Sequence, residues 1–283
     1  MERLEAFRSF FASLITANAG LSNRGVTEAL ATVPRERFVG PGPWKVLTPL
    51  GYIQTPSDDP AFLYQDLTVA LIHERLINNG QPTLHAICLS SLNLKPGETA
   101  VHVGAGTGYY TALLHHMVGV EGSVVGYEIE EELAKRAAAN LQDRPNVRIE
   151  HRSGVVGPLP DCDAVYVNAG ATAPLDVWLD ALRPGGRLLF PLTPAEVGGR
   201  PGIGGMLLVT RRADGQFDAR FVCPAAFIGC TGARDEEMAN KLTEVFKRGT
   251  MRDVRSLRRG TVPDESSWFA GNGWWLSTAA APA

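Results

Sequence analysis

The chain has 283 residues, which suits one large domain with additional segments, since single domains usually have roughly 100–200 residues. Its 27 basic and 30 acidic side chains leave a net charge of −3, which argues against the strongly basic surface of proteins that hold nucleic acid by its backbone. No run approaches the roughly 18 apolar residues of a membrane span, and the four cysteines form no Cys-x-x-Cys pair. We therefore expect a cytoplasmic protein with no membrane segment, no nucleic-acid partner and no disulfide framework.

Residues 1–95 are predicted to form a helical and irregular N-terminal segment. Apolar side chains recur at helical spacing near the start of the chain, at Leu4, Phe7, Phe11 and Leu14. A second helix is expected from Val26 to Val33, where Pro34 ends it. Residues 39–65 are rich in Gly, Pro, Thr and Asp, and they predict irregular structure with one short strand near Val46. A further helix is expected over residues 83–92.

From residue 96 to residue 230 the chain alternates short apolar runs with helical stretches. The predicted strands are Thr99–Val103, Ser123–Glu128, Val147–His151, Ala164–Asn168, Arg187–Leu192, Gly205–Thr210 and Ala219–Phe227. The predicted helices are Tyr109–Met117, Glu130–Leu141 and Leu175–Leu182. Nearly continuous apolar strands between helices indicate an α/β protein whose parallel sheet is covered on both faces. The last strands have short connections without helices, so we expect them to be antiparallel.

Residues 231–283 form a predicted C-terminal extension with helical and aromatic parts. Asp235–Arg248 has helical composition, and Gly249 suits the position that ends a helix. Two aromatic pairs follow, Trp268-Phe269 and Trp274-Trp275. These rings either dock on the core or line a pocket for a substrate, because amphipathic aromatic rings suit partly wet sites.

A glycine-rich turn is predicted between the first strand of the sheet and the helix that follows it. Its residues are Gly104, Ala105, Gly106, Thr107, Gly108 and Tyr109. Glycines at this place let the backbone turn tightly and approach a ligand, and ligands bind at the carboxyl ends of strands in open α/β sheets. A dinucleotide fingerprint would need glycine at position 109. The observed Gly-x-Gly-x-Gly spacing is the pattern usual in S-adenosylmethionine enzymes, although a purely structural turn also explains such a match.

Glu128 ends the second predicted strand, where an acidic side chain can accept hydrogen bonds from both ribose hydroxyls. The alternative is an ordinary acid at the start of the next helix. No Gly-Lys-Ser/Thr follows the glycine turn, so a Walker-type phosphate site is excluded. His115 and His116 have no acidic or cysteine partner at ligand spacing, so we expect no metal site.

Together these segments resemble the protein-L-isoaspartate O-methyltransferase family. The similar motifs are Val33-Pro34-Arg35-Glu36-Arg37-Phe38-Val39, Gly80-Gln81-Pro82, Val103–Tyr109, Cys162–Ala171 and Leu182–Leu188. The resemblance covers roughly residues 33–227 and ends before the extension. It implies a seven-stranded, mostly parallel Rossmann-like methyltransferase sheet with antiparallel last strands, and S-adenosylmethionine as the methyl donor in residues 96–230.

The resemblance also implies roles for individual residues. Carried over by position, Gln81, Pro82 and His85 would lie against the cofactor, and Gly104 to Tyr109 would wrap its methionine part. Glu128 would hold the ribose, and Ser153 and Gly154 would lie near the adenine. Asn168 of the fourth-strand motif would also be a cofactor-binding residue. The family prefers Asp where this chain has Ser153.

The larger departure is Gly80, which replaces the family's active-site serine and follows Asn78 and Asn79. Methyl transfer to a carboxylate needs alignment rather than a base, and a serine hydroxyl could supply that alignment. We therefore expect Asn78, Asn79 and Gly80 to form the acceptor loop, contributed by residues 1–95. Either the asparagines supply the missing donors, or the acceptor is not an isoaspartyl carboxylate.

Three functions are therefore compatible with the sequence. The first is an isoaspartyl methyltransferase acting on proteins or peptides. The second is a methyltransferase of the same fold with another peptide or a small molecule as acceptor. The third is a non-catalytic adaptor that keeps the cofactor site. The oligomeric state is not predicted.

Overall fold

The computed structural model describes residues 2–282. Met1, the first residue of the predicted N-terminal segment, and Ala283, the last residue of the predicted extension, lie outside the described residues. The N-terminal part contains α1 (Glu2–Asn18), α2 (Arg24–Thr32), α3 (Glu36–Val39), β1 (Lys45–Thr48), β2 (Gly51–Gln54), β3 (Ala70–Ile72), β4 (Ile77–Asn78) and α4 (Pro82–Leu92). The central part contains β5 (Thr99–Val103), α5 (Tyr109–Val118), β6 (Ser123–Glu128), α6 (Glu131–Asn140), β7 (Val147–His151), β8 (Cys162–Val167), α7 (Asp176–Asp180), β9 (Leu182–Leu192), β10 (Gly204–Arg211) and β11 (Phe217–Ala225). The C-terminal part contains α8 (Glu236–Phe246), β12 (Ser256–Arg259), β13 (Ser267–Ala270) and β14 (Trp274–Ser277).

The described chain divides into two compact units. The first comprises the chain up to Glu98 together with Gly104–Ser153, and the second comprises Thr99–Val103 together with the chain from Gly154 onward. The division of the sequence into segments 1–95, 96–230 and 231–283 stays a prediction.

In the first unit, the buried face of α1 differs from the apolar stripe that the sequence predicts. Phe11 and Ile15 of α1 and Val26 of α2 are fully buried, whereas Leu4, Phe7 and Leu14 are only half-buried. Asn23 caps α2, because its side-chain oxygen accepts a hydrogen bond from the Val26 N–H at 3.2 Å. The same unit contains the parallel pair β6–β7 and the helices α5 and α6.

The predicted irregular region of residues 39–65 contains a β-hairpin, β1–β2, that the sequence analysis did not predict in full. Its strands are antiparallel, with Lys45 opposite Gln54 and Thr48 opposite Gly51. Trp44 and Val46 anchor the hairpin in a small core with Leu63 and Val69. The hairpin is therefore stabilised by contacts with residues about twenty positions away, which local composition does not reveal.

The second unit is built on a sheet with the strand order β13-β14-β12-β11-β10-β9-β8-β5. β5, β8 and β9 are parallel neighbours, whereas β10 and β11 continue the sheet as the predicted antiparallel hairpin. Buried apolar side chains are common in these strands, and Val165, Leu188 and Leu207 are fully buried. This explains why runs of apolar residues in the sequence predict the strands.

The C-terminal extension contributes strands as well as the predicted helix. β12 pairs with the first two residues of β11, and β14 and β13 follow outward as antiparallel neighbours. The Trp268 ring lies 5.3 Å from Phe221 and 5.5 Å from Phe246, and Trp275 is 1% exposed. The aromatic pairs thus dock on the core of the second unit.

Within residues 2–282, no helix has the length and apolarity needed to cross a membrane, and no His, Cys, Asp and Glu side chains are grouped so that they could hold a metal ion.

Candidate active site

The glycine-rich turn follows β5 and leads into α5. The N–H groups of Gly104 and Ala105 donate to the carbonyl oxygen of Tyr127 at 2.9 and 3.0 Å, which fixes the turn against β6. Gly106 has a φ of +55°, a conformation that L side chains adopt rarely. Gly104 and Gly106 are half-buried while the neighbouring residues are buried, so the backbone of the turn is accessible at these two glycines. The turn therefore offers an accessible backbone edge at the start of a helix.

Glu128 lies beneath this turn and is almost completely buried. Its carboxylate accepts hydrogen bonds from the Gly106 N–H at 2.6 Å and from the Glu130 N–H at 3.0 Å. Burial raises the pKa of the Glu128 carboxyl group, and the backbone N–H bonds act in the opposite direction. Glu128 therefore connects the glycine turn to the end of β6.

The predicted acceptor loop, Asn78 to Gly80, is tied down by hydrogen bonds. Asn78 forms a tight turn, because its Oδ1 accepts from the Gly80 N–H at 2.9 Å and its Nδ2 donates to the Leu76 carbonyl oxygen at 3.0 Å. The Asn79 Oδ1 accepts from the Val69 N–H at 2.9 Å, while the Asn79 Nδ2 is buried and has no hydrogen-bond partner in the described structure. The two asparagines thus differ: both polar atoms of Asn78 are engaged, whereas Asn79 retains an unpaired donor.

Gly80 leaves space that a histidine ring fills. Gly80 has a φ of +70°, and a Cβ atom added there would overlap Nε2 of His85 and lie 2.7 Å from its Cδ2. The His85 imidazole is buried and stacks on Tyr110, with ring centroids 3.6 Å apart. The family resemblance implies only that His85 lies beside the cofactor, whereas the structure brings its imidazole directly against Gly80, the residue that replaces the family serine.

Gln81 and Pro82 lead from this loop into α4. The Gln81 Nε2 donates to Asp66 at 2.9 Å, and Asp66 also accepts from the Thr83 N–H at 2.9 Å. Pro82 is the first residue of α4, a position where the missing N–H costs nothing.

Arg35 supports the acceptor loop from below, and the sequence analysis assigned it no role. Its guanidinium is fully buried and donates to the carbonyl oxygen of Leu63 at 2.8 Å and to the Asn79 Oδ1 at 3.4 Å. In the sequence, only the position of Arg35 within the Val33–Val39 motif could have indicated a role for it. Because Asn79 receives hydrogen bonds from Arg35 and from Val69, the orientation of its carboxamide is determined.

Ser153 ends the first unit, and the remaining site residues belong to the second. The Gly154 carbonyl oxygen accepts from the Trp178 indole at 2.9 Å. The Asn168 Nδ2 donates to Nε2 of His102 at 2.7 Å, and the Asn168 Oδ1 is buried without a hydrogen-bond partner in the described structure. His102 is fully buried, and burial lowers its pKa to about 3, so it is the neutral core histidine that accepts from Asn168.

Comparison with known families decides the identity of this arrangement. The family model described as protein-L-isoaspartate(D-aspartate) O-methyltransferase matches residues 10–235. The chain belongs to this family. The match includes the glycine turn, Glu128 and the acceptor loop, and it leaves out most of the C-terminal extension.

Curated relatives agree with the family assignment. A protein-L-isoaspartate O-methyltransferase of Roseiflexus sp. is 31% identical over 221 residues, which cover 75% of this chain and 87% of the relative. The corresponding protein of Methanococcus aeolicus is 30% identical over 180 residues, 62% of this chain and 75% of the relative.

Solved structures show the same fold. A protein-L-isoaspartate O-methyltransferase structure covers 92% of this chain and 74% of its own, with a TM-score of 0.63 at 20% identity. A Plasmodium falciparum structure, described as this enzyme in complex with S-adenosyl-L-homocysteine, covers 79% of this chain and 97% of its own, with a TM-score of 0.61 at 21% identity.

The predicted α/β methyltransferase fold, reaction class and methyl donor are thereby confirmed. Protein-L-isoaspartate O-methyltransferases are S-adenosylmethionine-dependent enzymes that act on proteins and peptides. The half-buried glycines of the turn and the buried carboxylate of Glu128 are compatible with such a cofactor. The roles of the individual residues stay predictions.

Proposed function

We propose that this chain transfers the methyl group of S-adenosylmethionine to the free carboxylate of an isoaspartyl residue in a protein or peptide. The match of the family model over residues 10–235 carries the proposal, because it spans both the glycine turn and the acceptor loop. We place the protein in the cytoplasm and assign it no nucleic-acid partner, in keeping with its net charge of −3 and its free cysteines.

In this proposal Gly104 to Tyr109 hold the methionine part, Glu128 accepts hydrogen bonds from the ribose hydroxyls, and Gln81, Pro82 and His85 lie against the cofactor. Ser153 and Gly154 are assigned to the adenine, and Asn168 to cofactor binding, by the resemblance of their motifs alone. When bound, S-adenosylmethionine supplies an electrophilic methyl group, so that a carboxylate acceptor needs no general base.

In this proposal Asn79 orients the acceptor carboxylate. Its Oδ1 is fixed by the Val69 N–H and by Arg35, which leaves the Nδ2 group as a buried donor with no partner in the described structure. A buried donor without a partner costs about 1–3 kcal/mol, and an acceptor carboxylate would remove that cost. Asn78 in turn shapes the loop, because its side chain holds the Gly80 N–H and the Leu76 carbonyl oxygen.

The Gly80–His85 contact favours a second candidate, a methyltransferase of the same fold with a different acceptor. The imidazole of His85 takes the space beside Gly80 where a serine side chain would lie. An acceptor pocket with an imidazole in place of a hydroxyl has a different shape and a different set of hydrogen-bonding groups. This candidate keeps the same cofactor site.

A methyl-transfer assay distinguishes the two candidates. Transfer from labelled S-adenosylmethionine is measured to an isoaspartyl peptide and to its aspartyl counterpart, with S-adenosylhomocysteine binding measured by calorimetry in parallel. We expect cofactor binding and transfer to the isoaspartyl peptide only. Cofactor binding without transfer to either peptide would favour the second candidate, and loss of cofactor binding would contradict both.

A further inference from the structure

Arg35 carries a positive charge that is completely enclosed by the first unit. The residue is 0% exposed, and its guanidinium donates to the carbonyl oxygens of Leu63 and Gln65 at 2.8 and 3.1 Å and to that of Leu67. The remaining acceptor is the Asn79 Oδ1, at 3.4 Å. All four acceptors are neutral, so these bonds hold the guanidinium in place without cancelling its charge.

The guanidinium of Arg35 has no counter-charge in direct contact. Within residues 2–282, no carboxylate oxygen forms an ion pair with it at 4.0 Å or less. The adjacent acid, Glu36, accepts from the Tyr64 hydroxyl, and Asp66 accepts from the Gln81 Nε2 at 2.9 Å. An enclosed charge is costly unless it is paired as well as hydrogen-bonded. The acceptor loop therefore lies against a buried cation whose charge is not neutralised by a neighbour.

The charge of Arg35 also acts on two tyrosines next to the loop. Burial raises the pKa of Tyr109 to about 12 and raises that of Tyr110 as well, and the positive charge of Arg35 opposes both shifts. The Tyr110 hydroxyl donates to the Gly80 carbonyl oxygen at 3.5 Å. A positive potential from Arg35 thus extends to side chains that contact the acceptor loop.

Asn79 is polarised by its bond with Arg35. Its Oδ1 accepts from Arg35 and from the Val69 N–H, which leaves the unpaired Nδ2 donor on the other side of the carboxamide. Linked hydrogen bonds polarise one another, so a cation at the oxygen makes the amide N–H groups stronger donors. An ionised carboxylate at the loop gains from this donor and from the positive potential, whereas a neutral group of the same shape gains much less.

We propose that Arg35 is a positioning residue that makes the acceptor site selective for ionised acceptors. It acts through Asn79 and through its charge, and it does not touch the acceptor. This inference rests on the proposed function, since it takes the acceptor to be a carboxylate bound at residues 78–80. It assigns the selectivity to a residue outside the loop, in the connection between α2 and α3.

Binding of two peptides of equal shape tests the selectivity. One hexapeptide has an isoaspartyl residue with its free carboxylate, and the other has an isoasparaginyl residue, in which that carboxylate is a neutral carboxamide. Their affinities for the full chain are measured by calorimetry with saturating S-adenosylhomocysteine, which lacks the positive sulfonium of the methyl donor. We expect the anionic peptide to bind at least tenfold more tightly. The preference should remain at least fivefold at about 0.5 M salt, because a buried charge is weakly screened.

Variants locate the origin of this preference, and an unchanged affinity for S-adenosylhomocysteine verifies that each is folded. Arg35→Gln removes the charge and should reduce the preference to threefold or less, whereas Arg35→Lys should keep it at fivefold or more. Asn79→Ala leaves the charge in place and should retain at least a threefold preference while weakening the binding of the anionic peptide. Arg37→Gln is the matched control with the wild-type preference, because the Arg37 charge is already paired with Asp143 at 2.9 and 3.2 Å.

Equal binding of the two peptides by the wild type, or an unchanged preference in folded Arg35→Gln, would overturn the proposal and make Arg35 a support of the loop backbone only. If Arg35→Gln does not fold, Asn79→Ala decides. A preference that persists in Asn79→Ala supports the role of Arg35, and one that disappears assigns the selectivity to the carboxamide and overturns it.

Failure of the proposed function gives a different result. Methyl transfer to the isoaspartyl peptide together with equal binding of the two peptides rejects only the role of Arg35. Binding of S-adenosylhomocysteine with binding of neither peptide rejects the isoaspartyl acceptor, and the role of Arg35 is rejected with it.

Discussion

Asn79 is the residue on which acceptor orientation depends in this account. Asn79→Asp keeps an oxygen for the Val69 N–H and for Arg35 but removes the Nδ2 donor and adds a negative charge. We expect kcat/KM for an isoaspartyl peptide to fall by a factor of about ten to a hundred, since a hydrogen bond to a charged group contributes about 1.5–3 kcal/mol. The melting temperature should stay near that of the wild type.

Asn78→Asp is the matched control, because it retains the oxygen that accepts from the Gly80 N–H. It should lower kcat/KM less than Asn79→Asp does. Equal losses in the two variants would show that the carboxamide of Asn79 has no special part in binding the acceptor.

Glu128 makes cofactor binding depend on pH. Ribose hydroxyls donate to an ionised carboxylate, and burial raises the pKa of Glu128 in the cofactor-free protein. Affinity for S-adenosylhomocysteine should therefore fall as the pH is lowered through this raised pKa, and binding near it should release a proton from Glu128. Calorimetry in buffers of different ionisation enthalpy measures both effects.

Glu128→Gln provides the comparison. Its affinity should be lower than that of the wild type at neutral pH and nearly independent of pH. In the cofactor-free protein the linkage has the opposite sign: the raised pKa stabilises the fold at acid pH, and this contribution is lost as the pH rises through it. Identical pH profiles in the two proteins would assign Glu128 to the support of the glycine turn alone.

At the scale of elements, the connection between β4 and α4 contains a close contact between Gly80 and His85, so that substitutions of these two residues should have coupled effects on stability. Gly80→Ser should destabilise the protein through both its positive φ and the overlap with His85, by about 2–4 kcal/mol. In a His85→Ala background the overlap is removed, and the cost should fall to the backbone strain of about 1–2 kcal/mol. Urea unfolding of the four proteins measures this coupling.

Gly20→Ser is the control for strain alone, because Gly20 has a φ of +64° and open space around a Cβ atom. The same cost for Gly80→Ser in both backgrounds would contradict the contact with His85. The contact also means that Gly80→Ser does not simply restore the family's hydroxyl group, because a serine side chain fits only if the His85 imidazole moves.

The elements differ in how well the sequence predicts them. β5, β6 and β7 have the predicted bounds, because apolar side chains follow one another within each strand or alternate along it. The hairpin β1–β2 and the strands β12 to β14 are short, and they are stabilised by pairing with distant segments, such as Val46 with Val69. The orientation of Asn79 was not predictable either, since Arg35 lies far away in the sequence.

At the scale of the whole molecule, His102 should make the protein sensitive to acid. Burial lowers its pKa from 6.5 to about 3, so the unfolded chain binds a proton that the folded protein does not. Stability should therefore decrease as the pH falls below about 6.5, by up to about 1.4 kcal/mol per pH unit from this residue. Urea unfolding from pH 7 to pH 4 should show a shallower loss for His102→Gln. Equal slopes would mean that His102 does not carry the effect.

At the same scale, we propose that the glycine turn and Glu128 hold S-adenosylmethionine so that its methyl group faces the acceptor loop. A crystal structure of the full chain with S-adenosylhomocysteine tests this arrangement most directly. We predict that the ribose hydroxyls lie within hydrogen-bonding distance of the Glu128 carboxylate and that the sulfur atom lies beside Asn79 and Gly80. A nucleoside bound elsewhere, or a sulfur atom directed away from this loop, would contradict the account.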